Sequence, residues 1–213
     1  MNEIVFLSPN TKEPFTTSDI IAEKTNNNYR SVQRIIETQR KRLEKFGIMR
    51  FQITLNGRRG RPKKIYQLNE QQATLLITFM KNNDIVADFK TELVRQFYSM
   101  RNELMNVRLA KASRKEIRLN MTDSIKALPD SPHKNFKYSQ YTNLAYLFVT
   151  GKTAKTIRQE RGAKKNAAAS DYMTAEEILK IADAENRISV LIDAGFDYGQ
   201  IKSALYMSRV AIA

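Results

Sequence analysis

Two groups of basic and amide side chains in the first third of the chain could bind a polyanion. The first begins at the end of a run of three asparagines and comprises Asn28, Tyr29, Arg30, Gln33, Arg34, Arg40 and Lys41. The second surrounds a short Gly-Arg-Pro segment and comprises Arg58, Arg59, Arg61, Lys63 and Lys64. Arginine and the carboxamide side chains can each bond two atoms of one base edge, and arginine and lysine also contact phosphates. We therefore predict that these residues contact a nucleic acid.

The formal net charge of +14 over 213 residues is unevenly distributed along the chain. Residues 24–64 hold thirteen Lys and Arg against Glu37 and Glu44, which leaves a net charge of +11. Residues 152–165 hold six positive side chains and one negative one, a net charge of +5, whereas residues 174–206 have a net charge of −3. Solubility does not require such segregation, but a surface that faces phosphates does.

The composition excludes several classes of site. The chain contains no cysteine and a single histidine, His133, which excludes disulfides, thiolate metal sites and histidine clusters. We expect no metal, no cofactor and no enzymatic activity, because no acidic cluster lies beside the basic region to hold Mg²⁺. Apolar runs such as Ala145–Val149 are far shorter than the roughly 20 residues that span a bilayer, and residues 1–10 lack a secretory pattern. We expect a cytoplasmic protein that does not contact membranes.

The second basic run, residues 152–165, has two interpretations. Gly151-Lys152-Thr153 is similar to the end of a phosphate-binding loop, but Tyr146 stands where that loop needs a glycine, and no buried strand precedes it. A nucleotide site of that type is therefore disfavoured. A solvated face, or one that contacts phosphates, is the simpler interpretation.

The first basic group falls on the second helix of a predicted helix-turn-helix. Capping residues and apolar spacing predict one helix over about 16–25 and a second over about 29–46. Ala22 supplies the small residue that the motif needs where the helices cross. Asn26, four positions later, supplies the residue that best tolerates the left-handed turn.

Apolar positions on the second helix determine which residues face outward. Val32 and Ile35 would hold this helix on the core, leaving its N-terminal half exposed, where a recognition helix reaches base edges in the major groove. Arg40 and Lys41 lie further along and are better placed for phosphates. The alternative is a basic pair of helices without a ligand.

The second basic group falls on the tip of a predicted β-hairpin. Alternating apolar residues predict strands over 51–55 and 65–68, joined through residues 56–62. Arg59-Gly60-Arg61-Pro62 resembles an AT-hook, in which a glycine between two arginines lets both guanidinium groups enter a narrow minor groove. The alternative is a solvated basic turn that contacts only phosphates.

The remaining sequence predicts a short hairpin in residues 1–15 and several further helices. A capping-box pattern at Asn69–Gln72 opens one helix, and a stripe of apolar residues from Phe89 to Val107 lies on a long helix that runs from Asn83 towards Pro129. We interpret the stripe as a dimer seam, with core packing as the alternative. Helices are also expected at about 138–149, 153–159, 174–194 and 198–207.

The predicted fold is mainly α with a small β-wing. We expect a winged helix-turn-helix DNA-binding domain at 1–82, a long connecting and dimerising helix at 83–128, a linker at 129–137 and a small C-terminal helical domain at 138–213. The acidic segment within the last domain could pack on the same chain, dimerise or bind another protein.

The N-terminal half resembles the Rha-type phage regulatory proteins over roughly residues 4–105. The resemblance rests on Phe15-Thr16-Thr17-Ser18, Val32-Gln33-Arg34-Ile35-Ile36, Gly60-Arg61-Pro62-Lys63-Lys64-Ile65-Tyr66-Gln67-Leu68 and Phe89-Lys90. It implies a prophage-encoded regulator of winged-helix type in the cytoplasm of a bacterial host. Asn28 or one of its neighbours stands where such proteins often carry a histidine before the recognition helix, and Lys81–Asp84 stands where they carry a Lys/Gly-rich segment.

These features predict a homodimer that binds double-stranded DNA and regulates transcription of phage genes. The first basic group would read a major groove, and the second an adjacent minor groove. The alternative is a phage antirepressor whose C-terminal domain contacts a repressor or another regulatory protein. The expected partners are therefore double-stranded DNA, a second copy of the chain and, under the alternative, a regulatory protein.

Overall fold

The computed structural model describes residues 3–8, 13–54, 62–129, 134–164 and 166–210. Within these residues the chain is mainly helical and has one antiparallel sheet of four strands, as the predicted fold class requires at this coarse level. The chain divides into two compact units, Met1–Asn102 and Glu103–Ala213, called unit 1 and unit 2 below.

The sheet belongs to unit 1 and has the strand order β1-β2-β4-β3. Its strands are β1 (Phe6–Leu7), β2 (Pro14–Thr17), β3 (Arg50–Thr54) and β4 (Lys63–Asn69). Both predicted hairpins are present, since β1 pairs with β2 and β3 pairs with β4. In addition β2 pairs with β4, with Phe15 opposite Asn69. This last pairing was not predicted, because the contact joins distant segments and leaves no local pattern in the sequence.

The helices of unit 1 pack with the sheet around a common core. They are α1 (Ser18–Lys24), α2 (Tyr29–Thr38), α3 (Arg40–Leu43), α4 (Glu70–Thr78) and the first part of α5 (Asp84–Ala127). The largest fully buried side chains of this core are Ile21, Ile36, Leu43, Tyr66, Leu68, Leu76, Leu93 and Phe97. A single core therefore positions both the helix pair and the hairpin.

The prediction of a single helix over 29–46 is wrong. The segment is interrupted at Gln39 and forms α2, α3 and a 3₁₀ turn. Side chains from the start of α4 hold the far end of this segment. The buried Gln72 side chain donates to the Gly47 carbonyl at 2.9 Å, and the Asn69 amide donates to the Phe46 carbonyl at 2.8 Å. These bonds from the start of α4 fix the path of the segment that follows α2, and helical periodicity carries no signal for them.

The apolar stripe on the first part of α5 is core rather than a dimer seam. Phe89, Leu93 and Phe97 are buried in the core of unit 1, so these residues take the alternative interpretation. Val94 and Tyr98 lie on the same helix but are exposed. Dimerisation through α5 stays a prediction.

Unit 2 contains helices and, within its described residues, no strand. It contains the second part of α5, then α6 (Lys134–Thr150), α7 (Ala154–Glu160), α8 (Ala175–Asp193) and α9 (Tyr198–Val210), with a short 3₁₀ turn at Ala169–Tyr172. Four C-terminal helices were predicted close to these bounds. Their core is built from residues such as Met121, Ile125, Leu144, Ile157, Ile178, Ile188 and Ile201.

One boundary differs from the predicted division of the chain. The helix α5 is continuous from Asp84 to Ala127, and α6 begins at Lys134, within the stretch 129–137 that was assigned to a linker. The functional roles assigned to the four predicted segments stay predictions. Among the described residues, no helix combines the length and the apolar character needed to cross a bilayer.

Candidate nucleic-acid interface

Three consecutive asparagines form the turn between α1 and α2, and each has a different structural role. Asn26 adopts a φ of 51°, the left-handed conformation predicted for it. The Asn27 backbone N–H donates to the Ala22 carbonyl at 2.9 Å. The Asn28 side chain accepts from the Arg30 N–H at 2.9 Å and so caps α2. The direction in which α2 leaves the turn is thus fixed locally.

The two faces of α2 separate apolar from charged residues. Val32 and Ile36 are fully buried in the core of unit 1, and Ile35 packs partly buried against it. Arg30 and Arg34, one turn apart, are exposed. The predicted outward-facing half of this helix is therefore solvent-accessible, and Ile36 carries more of the burial than the predicted Ile35.

The exposed half of α2 and the beginning of β4 line one concave surface of about 650 Å³, called the α2–β4 cleft below. Its lining residues are Asn28, Tyr29, Arg30, Gln33, Arg34, Glu37, Pro62, Lys63 and Lys64. The structure thus brings together seven of the predicted contact residues from two segments of the sequence. Four cations and the carboxylate of Glu37 leave this cleft with a net formal charge of +3.

Two side chains of α2 fasten the helix to the hairpin. The Tyr29 hydroxyl donates to the Lys64 carbonyl, and the Gln33 amide donates to the same carbonyl at 2.7 Å and to the Tyr29 hydroxyl at 2.9 Å. Burial raises the pKa of the Tyr29 hydroxyl, so this group is protonated at neutral pH and remains a donor. Tyr29 and Gln33 were predicted as contact residues; in this structure both position the hairpin.

The two lysines at the start of β4 lie against aromatic rings. The Lys63 ammonium is 4.1 Å from the centroid of the Tyr29 ring. The Lys64 ammonium is 4.0 Å from the centroid of the Phe51 ring and 4.8 Å from that of Tyr66. Cation–π attraction of this kind holds the charges near the cleft while leaving them available to an anion. Phe51, on β3, has no charged or hydrogen-bonding group, so its residue type did not indicate a place in the site.

A serine of α1 makes a further link to β4. The Ser18 hydroxyl is fully buried and accepts a hydrogen bond from the Tyr66 backbone N–H at 3.0 Å. No role in binding β4 was predicted for Ser18. Both helices of the pair are therefore bonded to the same strand.

The other predicted contact residues lie elsewhere. Arg40 and Lys41 are exposed on α3 and do not line the α2–β4 cleft. Arg40 is paired with Glu44, with 2.7 Å between its Nε and the carboxylate Oε1. Their predicted role as phosphate contacts stays a prediction. Arg58, Arg59 and Arg61 lie outside the described residues.

The region that contains the α2–β4 cleft is similar to a known protein family. A family model described as phage regulatory protein Rha matches residues 16–102, which include α1, α2, the β3–β4 segment and the α2–β4 cleft. The predicted resemblance is confirmed for this part of the chain. No curated protein matches the chain.

Among the residues that the structure describes, no three acidic or histidine side chains converge in a way that could hold a metal ion. The match to a regulatory family favours a role without catalysis.

Proposed function

We propose that unit 1 binds double-stranded DNA as a winged helix-turn-helix and that the protein regulates transcription of phage or prophage genes. The observation that carries the proposal is the α2–β4 cleft, in which the start of a capped helix and the start of a hairpin strand present four cations. The match of residues 16–102 to a phage regulatory family supports the same role.

The helix pair has the features by which a helix-turn-helix reads bases. In that motif the second helix lies in the major groove with its N-terminal residues on base edges. The ten residues of α2 correspond to a length of about 15 Å, which suits a groove about 12 Å wide. Arg30 and Arg34 would pair with guanine, and Glu37 can accept from the amino group of cytosine.

The hairpin supplies the wing of the proposed interface. The chain between Thr54 and Lys63 contains Arg58, Arg59 and Arg61, and it enters β4 where Tyr29 and Gln33 bind the Lys64 carbonyl. We propose that Arg59 and Arg61 enter a minor groove next to the major groove contacted by α2.

A homodimer completes the proposal. Val94 and Tyr98 are 43% and 51% exposed, and with Leu75 and Phe97 they line an apolar groove of about 490 Å³ in unit 1. A second copy of the chain is the proposed occupant, because two copies would present two recognition helices to two half-sites. Tyr98→Glu should lower the apparent mass in sedimentation equilibrium from that of a dimer to that of a monomer.

The experiment that tests DNA binding is selection of bound fragments from random duplex DNA, followed by fluorescence anisotropy with the selected sequence. Arg30→Ala should weaken binding to the selected duplex by about tenfold or more, the value of one bidentate base contact, and reduce the preference over a scrambled duplex. Lys63→Ala should weaken binding to both duplexes equally.

Lys81→Ala is the matched control, since Lys81 is an exposed lysine of unit 1 that does not line the cleft. Absence of saturable duplex binding at moderate salt, or equal effects of Lys63→Ala and Lys81→Ala, would refute the proposal. An antirepressor that acts only through protein contacts predicts the first of these results.

A further inference from the structure

A second positively charged concavity lies entirely within unit 2. It has a volume of about 410 Å³ and is lined by α5, α6, α7 and the start of the 3₁₀ turn with the residue before it. Its cationic residues, which define the unit 2 cleft, are Lys111, Arg114, Lys115, Arg118 and Arg158. None of them belongs to the proposed DNA-binding surface of unit 1.

A fully buried carboxylate holds two of these arginines. The Arg114 guanidinium binds Glu185 in a bidentate manner, with 2.8 Å from Nε to Oε2 and 2.7 Å from Nη2 to Oε1. The Arg118 Nη1 donates to the same Oε1 at 2.8 Å. Burial opposes the charged form of Arg114, but the hydrogen bonds and the charge of Glu185 outweigh it and raise the pKa of Arg114. The Arg114 guanidinium is therefore charged at neutral pH.

Neutral partners fix the orientation of the same two groups. The Arg114 Nη1 donates to the Tyr146 hydroxyl at 3.2 Å, and the Arg118 Nη2 donates to the Thr142 hydroxyl at 2.7 Å. Because these side chains are already ordered, an anion that binds them loses little additional side-chain entropy.

The positive charge of the cleft exceeds what its acidic neighbours neutralise. Glu185 binds two arginines, and Asp171 binds Lys111 with 2.5 Å between Oδ1 and Nζ. Five cations and two carboxylates leave a net formal charge of +3. Within the described part of the chain, the side chains of Lys115 and Arg158 have neither an ion pair nor a hydrogen bond.

The spacing of the cations along α5 places like charges next to each other. Lys111 and Lys115 are four residues apart, as are Arg114 and Arg118, and like charges at this spacing destabilise a helix. A bound anion would relieve both repulsions and would pair with the two unpaired cations.

We propose that the unit 2 cleft binds a phosphate group. Ordered arginine side chains match the oxygens of a phosphate bidentately, and a surplus of three positive charges suits a multiply charged anion better than a single carboxylate. The volume lies within the range of small-molecule sites. The group could belong to a small phosphorylated molecule or to the DNA backbone, and the two sources share this chemistry.

Calorimetric titration of the full chain with sodium pyrophosphate, at constant ionic strength, tests the proposal. Arg158→Gln should weaken binding by about tenfold, as expected for one charge-assisted hydrogen bond. Lys115→Gln should have a similar effect. Both substitutions leave the contacts of Glu185 intact. Lys155→Gln is the matched control, because Lys155 is exposed on the same helix as Arg158 and does not line the cleft.

Two results would overturn the proposal: pyrophosphate binding no stronger than that of chloride, or equal weakening by Lys155→Gln and Arg158→Gln. The source of the phosphate is read from two further titrations. Saturable binding of a nucleoside monophosphate that Arg158→Gln weakens identifies a small molecule. A loss of duplex affinity in Arg158→Gln, with a smaller salt dependence, identifies the DNA backbone. The two proposals can fail separately, because pyrophosphate binding is compared between Arg158→Gln and Lys155→Gln, whereas duplex preference is read from Arg30→Ala.

Discussion

The link between α2 and the hairpin can be tested by a double-mutant cycle. Gln33→Ala removes two hydrogen bonds, at 2.7 Å and 2.9 Å, and Tyr29→Phe removes the hydroxyl that both donates to the Lys64 carbonyl and accepts from Gln33. A neutral hydrogen bond contributes about 1 kcal/mol net, and alanine recovers a few tenths in helix propensity. Each single substitution should therefore lower the free energy of unfolding of unit 1 by about 1–1.5 kcal/mol.

The double substitution should cost less than the sum of the two. The bond between Gln33 and Tyr29 is lost in either single variant, so it is counted twice when the single effects are added. The expected coupling is about 1 kcal/mol. Under the proposed function the same variants should also bind duplex DNA more weakly, because the hairpin is no longer held against α2.

Native-state hydrogen exchange of peptides from unit 1 measures this free energy without interference from unit 2. Ser99→Ala and Lys81→Ala are the controls, since both side chains are exposed in unit 1 and have no side-chain hydrogen bond among the described residues. The reasoning is refuted if Gln33→Ala and Tyr29→Phe cost no more than these controls, or if their effects add without coupling.

Three further substitutions have defined outcomes. Asn26→Ala should lower the thermal stability of unit 1 by about 1 kcal/mol relative to Asn26→Gly, because φ is positive there; equal melting temperatures would contradict this. Glu185→Ala should cost about 3 kcal/mol or more in urea unfolding of unit 2, since it leaves two arginines without their counterion; a loss under about 1 kcal/mol would contradict it. The hydrogen bond from Arg161 lowers the pKa of Glu177, so its stabilisation is present above the ordinary glutamate pKa and is lost as the pH falls through the lowered folded value. Arg161→Gln should therefore flatten the decrease of melting temperature on acidification, and an unchanged pH profile would argue against that ion pair.

Features encoded by neighbouring residues were predicted correctly. The capping box at Asn69–Gln72 is formed and opens the helix expected there. Asn26 has the predicted left-handed backbone. In each case the bonding partners lie within four positions, so spacing alone identifies them.

Features that depend on distant partners were not predicted. The path of the chain at Gly47 depends on Gln72, and the network around Glu185 joins α8 to arginines 67 and 71 residues away. The positioning roles of Tyr29 and Gln33 likewise depend on a carbonyl more than thirty residues away. Residue type indicates that such groups are polar, but only the fold determines whether they face a ligand or the protein itself.

The hydrogen bonds to β4 also protect an open strand edge. Pairing with β2 reaches only Gln67, opposite Thr17, so the preceding half of β4 has no strand on that side. The Ser18 hydroxyl accepts from the Tyr66 N–H there, and the side chains of α2 occupy the Lys64 carbonyl. Unpaired edges recruit strands from other molecules. Loss of these side chains should therefore promote intermolecular sheet formation and aggregation, a failure distinct from loss of DNA binding.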